Sequence, residues 1–276
     1  MAGPAPTGVA TARVRRMRAF FEDLGDGRFL ASPATSGPWD RRHQHGGPPS
    51  ALLARAIEGC EPQATQRLAR LSVDILRPVP VSELSVSAGV VRSGRRVTLV
   101  DAVACAGGEP VVRASGWRIE RAGDPQPPHV AHRYELPAMG EELAPSDLGG
   151  FNPEGYLAAM EWRVGRGSLA KLGPADVWSR PRIPLLAGEE MSPFCRAVLA
   201  ADSGSGVSSA LDATEWIFIN VDLVVALSRD PIGEWILLGS RTTIDPSGTG
   251  IAETVLSDGS GPAGRALQTL YVSGRG

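Results

Sequence analysis

Leu68-Ala-Arg-Leu-Ser-Val-Asp-Ile-Leu76 alternates apolar and polar residues along most of its length. This period of two is typical of a β-strand with one buried face. The next four residues, Arg77-Pro78-Val79-Pro80, end the strand because proline cannot donate a hydrogen bond to a sheet. Three further alternating segments follow after short turns: Glu83 to Arg92, Arg96 to Cys105 and Pro110 to Ile119. Four strands joined in this way predict an antiparallel meander.

A helix is predicted directly before these strands. Ser50 to Glu58 combines high helix propensity with an apolar stripe, and Gly46-Gly47-Pro48-Pro49 leads into it. After the strands, residues 122–150 contain repeated prolines and few β-branched residues, which is typical of a linker. The sequence therefore predicts a first unit at residues 20–121 and a second unit at residues 151–276.

The second unit repeats the order of the first. Its predicted helix runs from Pro193 to Asp202. Its predicted strands are Tyr156 to Val164, Asp176 to Leu186, Glu215 to Leu227, Glu234 to Ile244, Gly250 to Leu256 and Arg265 to Val272. Single positions also match between the units: Arg77-Pro78 with Arg229-Asp230-Pro231, Glu83 with Glu234, and Gly116 with Gln268. We interpret the pattern as a duplicated α+β unit, and a chance match between two meanders is the alternative.

Composition excludes several classes of function. The 276 residues carry 28 basic and 30 acidic side chains, so no field of one sign is available to attract nucleic acid. Cys60, Cys105 and Cys195 are an odd number and lie far apart, which indicates a reduced, cytoplasmic protein. Histidine and cysteine spacings do not fit a metal site, so no metal is expected. We also expect no signal peptide and no membrane span, because no apolar run approaches the required ~20 residues.

Motifs in both units resemble the type II acyl-CoA thioesterases, a family with a double hot-dog fold. The first unit has His45-Gly46-Gly47, Ser72-Val-Asp-Ile-Leu-Arg77-Pro78, Arg92-Ser-Gly-Arg95 and Ala114-Ser-Gly-Trp117. The second unit has Asp202, Asn220-Val-Asp222, Ser228-Arg229, Gly233-Glu234-Trp235-Ile236 and Gln268. The resemblance implies two repeats of a helix wrapped by an antiparallel sheet, with an acyl chain lying in a tunnel between the repeats.

The resemblance also implies a catalytic set. The family hydrolyses acyl-CoA with a water held by an aspartate, a hydroxyl residue and a glutamine, which fall on Asp202, Asn220 and Gln268. A carboxylate can accept the proton of the attacking water, and amide side chains can orient that water without titrating. We therefore expect an acyl-CoA or acyl-carrier-protein substrate and no cofactor. A homo-oligomer is expected because the sheet edges need covering.

Further residues are expected to complete the site. The expected substrate-binding residues are His45, Gly46, Gly47, Arg77 and Arg229, with the two arginines contacting the phosphates of coenzyme A. The developing oxyanion needs a backbone N–H donor, either from Gly47 or from the segment Ser192 to Cys195. Asp212 is the alternative carboxylate to Asp202.

Two other functions stay open at this point. Asn220 stands where the resemblance predicts a hydroxyl, and because an amide cannot pass a proton on, this favours a non-catalytic acyl- or lipid-binding protein of the same fold. His45 stands at a helix entrance, where dehydratases of the same fold carry a catalytic histidine. That position favours a hot-dog enoyl-CoA hydratase or dehydratase.

Overall fold

An antiparallel sheet of 13 strands runs through the part of the chain that the computed structural model describes, which is residues 18–128, 130, 134–144, 147–148 and 151–275. The strands are β1 (Phe21–Gly25), β2 (Arg28–Ala31), β3 (Gln66–Ile75), β4 (Glu83–Arg92), β5 (Val97–Ala106), β6 (Glu109–Glu120), β7 (Met160–Arg166), β8 (Ala175–Pro181), β9 (Trp216–Asn220), β10 (Asp222–Leu227), β11 (Ile236–Asp245), β12 (Thr249–Asp258) and β13 (Gly261–Gly274). The helices are α1 (Gly47–Gly59), α2 (Tyr156–Ala159), α3 (Pro193–Ala201) and α4 (Gly204–Val207), with a 3-10 turn at Pro33–Thr35.

The order of the strands in the sheet is β1-β2-β4-β5-β6-β3-β10-β13-β12-β11-β8-β7, with β9 also paired to β13. Helix α1 packs on β3 to β6, helix α3 packs on β8 and β10 to β12, and the two helices pack against each other. The predicted α+β class, a mostly antiparallel sheet with few helices, is confirmed. None of the helices in the described part of the chain is long and apolar enough to cross a membrane.

The predicted four-strand meander is wrong in one pairing. Strands β4, β5 and β6 follow one another, but β3 lies between β6 and β10 instead of beside β4. The reason lies in the segment between β3 and β4, where Pro78 and Pro80 prevent a tight turn. Val79 instead accepts a hydrogen bond from the Gln44 backbone N–H, and the chain crosses to the far side of β5. Strand β3 is thus free to join the two halves of the sheet.

Strand register matches between the two halves over most of β3 to β6 and β9 to β13. Adding 152 to the residue numbers of such a pair in the first half gives a pair in the second half. The corresponding pairs are Ser72–Ser115 and Val224–Leu267, Val100–Gly116 and Ala252–Gln268, and Val90–Val100 and Thr242–Ala252. The bulge after Ala104 in β5 also recurs after Leu256 in β12. Under this register Glu83 corresponds to Trp235, so the match of Glu83 with Glu234 is displaced by one residue.

Several element predictions need correction. The hairpin of β1 and β2 was not predicted, because charged residues interrupt its alternation. Tyr156 begins helix α2, whereas a strand was expected there, and β8 ends at Pro181 because prolines follow in the chain. The single strand expected at Glu215 to Leu227 is divided at Val221 into β9 and β10, both paired to β13.

The expected linker is packed against the second half over its described part. Gly140 and Leu143 donate backbone hydrogen bonds to the carbonyls of Val164 and Trp162 on β7. Leu148 is buried in the main core. His129 and His132 lie outside the described residues, as do residues 1–17, to which the expectation about a signal peptide refers.

Gly116 is the position at which β6 touches helix α1 most closely. A Cβ built on Gly116 would lie 2.7 Å from Ile57 Cγ2 and 2.9 Å from Leu68 Cδ1, and Ile57 is fully buried. A side chain there would therefore push the helix away from the sheet. Gly89 on β4 is exposed and has nothing within 4 Å of the same built atom, so it provides a matched control.

We predict that Gly116→Ala lowers the free energy of unfolding by about 1–3 kcal/mol, because the added methyl group overpacks the contact with α1. The control Gly89→Ala is expected to change the free energy of unfolding by less than about 0.5 kcal/mol, as is usual on an exposed surface. Urea denaturation of the two variants and the parent measures both values. Equal stability of the two variants would contradict the close packing at Gly116.

Candidate active site

Asp202 is a carboxylate buried at the end of helix α3. It is the residue that caps the helix, and only 4% of its surface is exposed. The chain turns there into the short helix α4, because Ser203-Gly204 follows and Gly204 leaves no side chain between the turn and β12. This turn directs the Asp202 side chain toward the first turn of helix α1, where Gly46 lies. The carboxylate therefore lies where the two halves of the chain meet.

Donors from three further elements surround this carboxylate. Asn220 Nδ2 at the end of β9 donates to Asp202 Oδ1 over 2.8 Å. Gln268 Nε2 on β13 donates to the Asp202 carbonyl over 2.9 Å and lies 3.4 Å from Oδ1. His45 Nδ1 lies 2.9 Å from Asp202 Oδ2, and the Gly47 backbone N–H donates to His45 Nδ1 over 3.2 Å beside the carboxylate. The structure thus brings Asp202, Asn220, Gln268 and His45 into one hydrogen-bonded cluster.

These donors determine the charge state of Asp202. Burial acts to raise the pKa of the carboxyl group, because a buried charge loses its hydration. The imidazole of His45 and the hydrogen bonds from His45, Asn220 and Gly47 act in the opposite direction and exceed the burial effect. The pKa of Asp202 is therefore below its ordinary value, and the group is an anion at neutral pH.

The two glycines before helix α1 allow this close approach. A Cβ on Gly46 would lie 2.8 Å from Asp202 Oδ2, and one on Gly47 would lie 2.5 Å from the carbonyl oxygen of Leu199. Real Cβ atoms do not come so close to their neighbours, so only glycine fits. The Gly47 N–H, a candidate oxyanion donor, lies 3.2 Å from His45 Nδ1 and points into the Asp202 cluster.

Tyr156 holds the other side of the His45 ring. The two rings stack with their centroids 3.8 Å apart and an angle of 10° between their planes. Tyr156 is fully buried, and its hydroxyl group donates to the Leu199 carbonyl over 2.7 Å and contacts Ser203 Oγ at 3.0 Å. Burial raises the pKa of Tyr156 far above its ordinary value, so the phenol stays neutral. His45 is therefore fixed by a stacked ring and by a carboxylate.

A cavity of about 370 Å³ opens beside the cluster. Its wall includes His45, Gly46, Asp202 and Asn220, together with apolar side chains. The larger of these are Trp39, Phe151, Leu157, Trp162, Leu169 and Phe218. The residues from Ile75 to Val79, which follow the last pair of β3 with β10, and those from Phe218 to Val221 at the break between β9 and β10 also line it. The size and the few convergent polar groups are typical of a small-molecule site.

The two arginines that were expected to bind the substrate, Arg77 and Arg229, lie in different parts of the structure. Arg77 lines the cavity and is largely exposed, with an ion pair to Glu109. Arg229 is away from the cavity, where its guanidinium binds Asp258 and the carbonyls of Pro262 and Gly261 at the turn between β12 and β13. The structure therefore gives Arg229 a role in holding that turn and does not bring it to the site.

The alternative oxyanion donor, the segment from Ser192 to Cys195, and the alternative carboxylate, Asp212, both lie outside the cavity wall. Ser192 lies at the opposite end of α3 from Asp202, where its hydroxyl bonds to Glu58 and caps the Cys195 N–H. Asp212 is exposed, and its carboxylate accepts hydrogen bonds from Thr214. The described residues contain no group of histidine, cysteine and carboxylate side chains that could hold a metal ion.

Tyr156 is the site residue that the sequence did not single out. The residues around it were interpreted as a strand, and a tyrosine in a strand is usually a core residue. The available signal was Gly155, whose φ of +67° favours glycine and turns the chain against Ser36. That turn separates Tyr156 from β7 and brings it under His45.

Two family models match the chain. The model of the acyl-CoA thioesterase N-terminal domain matches residues 35–119, and that of the acyl-CoA thioesterase C-terminal domain matches residues 124–272. Together they cover most of the chain. The chain therefore belongs to the acyl-CoA thioesterase family, and the resemblance noted from its motifs is confirmed. Its enzyme class is that of a thioester hydrolase. No curated protein matches the sequence.

Solved structures share the fold at low sequence identity. A putative thioesterase II from Thermobifida fusca has 18% identity and a TM-score of 0.72, covering 93% of this chain and 96% of that chain. A conserved protein of unknown function with a hot dog fold from Alicyclobacillus acidocaldarius has 16% identity and a TM-score of 0.73, covering 99% and 100%. An acyl-CoA thioesterase II from Mycobacterium marinum has 13% identity and a TM-score of 0.65, covering 97% and 98%. The hot-dog fold is thus shared by this chain.

We predict that Gly46→Ala lowers the free energy of unfolding by about 1–3 kcal/mol, because its methyl group collides with a carboxylate that Asn220, Gln268 and His45 hold in place. Gly59, at the other end of α1, is exposed and has nothing within 4 Å of a built Cβ. Gly59→Ala is therefore the matched control, with an expected loss no larger than about 0.5 kcal/mol. Urea denaturation distinguishes the two, and an equal response of both variants would contradict the close approach.

We also predict how Asp202 affects stability as a function of pH. Because its pKa is lower in the folded than in the unfolded chain, its ionisation stabilises the fold above the unfolded pKa of about 3.9, and this contribution is lost as the pH falls through the lower folded pKa. Below about pH 4 the free energy of unfolding of the parent should therefore show a decrease that Asp202→Asn lacks, because only the parent carries this carboxylate. The same pH dependence of parent and variant below pH 4 would contradict the lowered pKa.

Proposed function

We propose that this chain hydrolyses acyl-CoA thioesters in the cavity beside Asp202, with acyl-carrier-protein thioesters as the second substrate class. The observation that carries the proposal is the ionised, buried Asp202 cluster in the wall of an otherwise apolar cavity. An apolar wall suits an acyl chain, and a fixed polar group beside it suits the reacting carbonyl. Membership of the acyl-CoA thioesterase family supports the same reaction.

The fold proposed for this reaction is a double hot-dog, with repeats at 20–121 and 151–276. The common offset of 152 between the strand pairs of the two halves supports it. The pairing of β3 with β10 supports it further, because these two strands are 152 positions apart and meet at the centre of the sheet. Gln268 corresponds to Gly116 under this offset, so the first half has no amide at the matching place. One complete catalytic set per chain is therefore proposed.

Asp202, Asn220 and Gln268 have distinct roles in this proposal. Asn220 and Gln268 both donate to Asp202, and Gln268 is itself fixed because its Oε1 accepts the Ser205 N–H over 3.0 Å. In this proposal Asp202 accepts the proton of the attacking water, and the two amides hold the anion and orient that water without titrating. Asn220 can make these bonds although it replaces a hydroxyl, so the replacement does not by itself favour the non-catalytic alternative.

Arg77 is proposed to bind the coenzyme A part of the substrate. It lines the cavity with its side chain 55% exposed, and the side chain of its ion-pair partner Glu109 is exposed as well. Exposed ion pairs contribute at most about 1 kcal/mol, so a phosphate group can replace Glu109 as its partner. His45, Gly46 and Gly47 are proposed to face the thioester end of the same substrate.

A homo-oligomer is also proposed. The outer face of the sheet in the second half carries neighbouring exposed apolar side chains on β9, β12 and β13, namely Ile219, Ile251, Leu267 and Tyr271. Such a patch on a sheet face is typical of a surface that contacts another protein. Light scattering on the purified chain measures the mass, and a monomer at micromolar concentration would contradict this part of the proposal.

We predict that the purified chain releases free thiol from acyl-CoA and that Asp202→Asn lowers kcat/KM by about 100-fold or more, as is usual when a general acid–base system is disrupted. Gln268→Ala should cost about 10-fold, corresponding to the loss of about one hydrogen bond. Asp212→Asn is the matched control, because that carboxylate is exposed and outside the cavity. It should leave the rate unchanged.

The measurement is thiol release over a series of acyl chain lengths, with substrate binding followed in parallel. Binding without thiol release at any chain length would contradict hydrolysis and favour the acyl-binding alternative. Loss of the enoyl thioester absorbance with the thioester intact would instead favour a hydratase.

A further inference from the structure

Ser205 on helix α4 carries a hydroxyl group that has no hydrogen-bond partner among the described residues. The residue lines the cavity, and only 8% of its surface is exposed. Its backbone N–H is used separately, because it donates to Gln268 Oε1 over 3.0 Å. A hydroxyl group so far removed from bulk water normally has a hydrogen-bond partner. The cavity is the place from which a partner for Ser205 can come.

Neighbouring serines show that the local backbone can satisfy such hydroxyl groups. Ser208 and Ser209 each donate from Oγ to a backbone carbonyl, four and three residues earlier, over 2.9 Å. Bonds of this kind are usual for serines in helical segments. Ser203, which also lines the cavity, has its Oγ 3.0 Å from the Tyr156 hydroxyl. Among the hydroxyl groups that line the cavity in the described part of the chain, that of Ser205 is thus left unpaired.

The Ser205 side chain lies close to the Asp202 cluster. Asp202 and Ser203 have helical backbone angles, and helix α4 follows at once, so the chain is helical from Asp202 to Ser205. Side chains three residues apart in helical backbone lie on the same side, with about 5–6 Å between their Cβ atoms. Gln268 also connects the two residues, because it donates to the Asp202 carbonyl and accepts from the Ser205 N–H. The unpaired hydroxyl is therefore beside the proposed reaction centre.

Apolar side chains surround this hydroxyl in the cavity wall. Val207 follows it on α4, and Phe151 and Phe218 line the same cavity. In apolar surroundings a polar group without a partner is unfavourable, whether it belongs to the protein or to the substrate. A hydrogen bond between Ser205 and a polar atom of the acyl group would satisfy both.

We propose that Ser205 recognises acyl groups that carry an oxygen substituent on the second or third carbon, as in 2-hydroxyacyl and 3-hydroxyacyl thioesters. The inference rests on the proposed function and names the substrate class of the same cavity. When the thioester carbonyl carbon lies beside Asp202, the second and third carbons are one and two bonds further along the chain. Substituents on these carbons then come within reach of the Ser205 hydroxyl. Because a serine hydroxyl both donates and accepts, it pairs with a hydroxyl or a keto oxygen.

The experiment compares acyl-CoA substrates of equal length with and without the oxygen. Butanoyl-CoA is compared with 2-hydroxybutanoyl-CoA and 3-hydroxybutanoyl-CoA, and hexanoyl-CoA with 3-hydroxyhexanoyl-CoA, by kcat/KM for thiol release on the full chain. We expect the parent to prefer at least one hydroxylated substrate by about 5- to 10-fold, the usual effect of one hydrogen bond. In Ser205→Ala this ratio should fall to one or below, because the substrate hydroxyl then enters the cavity without a partner.

Two controls separate recognition from folding. Ser209→Ala should keep the ratio of the parent, because Ser209 lies outside the cavity wall and its Oγ is bonded to the Gly206 carbonyl. The Tm of Ser205→Ala, followed by circular dichroism, should be no lower than that of the parent, since the removed hydroxyl has no partner within the protein. A lower Tm would reveal an internal partner and would overturn the inference.

Equal rates of the parent on hydroxylated and unsubstituted substrates would overturn the inference and leave hydrolysis in place. So would a loss of rate in Ser205→Ala that is the same for every substrate, because Ser205 would then serve the reacting groups and not the substituent. If no acyl-CoA releases thiol, the proposed hydrolysis fails, and the dissociation constants of the same substrates, measured by calorimetry, decide the inference separately. A preference for the hydroxylated substrates that Ser205→Ala abolishes would support it, and equal affinities would overturn it.

Discussion

The burial of one negative charge between the two halves of the chain is the constraint on which the site depends. Asp202 is almost fully removed from water, and an ionised carboxylate survives there only because donors replace its hydration. Those donors come from the loop before α1, from the end of β9 and from β13. Removing the partner of a buried charge costs about 3–5 kcal/mol, so the cluster fixes these segments relative to one another. The cavity takes its shape from the same segments.

The sheet provides the distances that this cluster needs. Strand β3 pairs with β10 at the centre of the sheet, and β13 lies on the other side of β10. Because the chain breaks at Val221, β9 pairs with β13 and not with β3. Strand β3 ends beside this break, where Ile75 donates a backbone hydrogen bond to the Val221 carbonyl. Residues on both sides of this break, Asn220 among them, line the cavity. The break between β9 and β10 and the polar cluster around Asp202 therefore lie at the same place in the fold, with Asn220 belonging to both.

Much of this structure follows from the sequence, and the parts that do not are nonlocal. The alternation from Glu83 to Arg92 predicts β4 with its observed bounds, and the helix from Pro193 is predicted to within one residue. The pairing of β3 with β10 was not predictable from alternation, because a period of two says which face is buried but not which strand lies alongside. The common register of the inner strands in the two halves likewise appears only in the folded chain.

The site shows the same limit. Asp202, Asn220 and Gln268 were selected from their order along the chain, and the structure places them within hydrogen-bond distance of one another. The sequence could not show how closely Gly46 and Gly47 approach the carboxylate, since that depends on how the two halves pack. It also assigned Arg229 to the substrate, although the arginine and its equivalent Arg77 differ only in what surrounds them. Tyr156 was missed because a stacked partner is defined by contact and carries no motif.

The most direct test of the account is a crystal structure with a non-hydrolysable acyl-CoA analogue. The account predicts that the acyl chain occupies the cavity between Phe218 and Trp162 and that the carbonyl carbon lies about 3–3.5 Å from a water within hydrogen-bond distance of the Asp202 cluster. An acyl group bound outside this cavity, or a carbonyl carbon that lies away from this cluster, would contradict it.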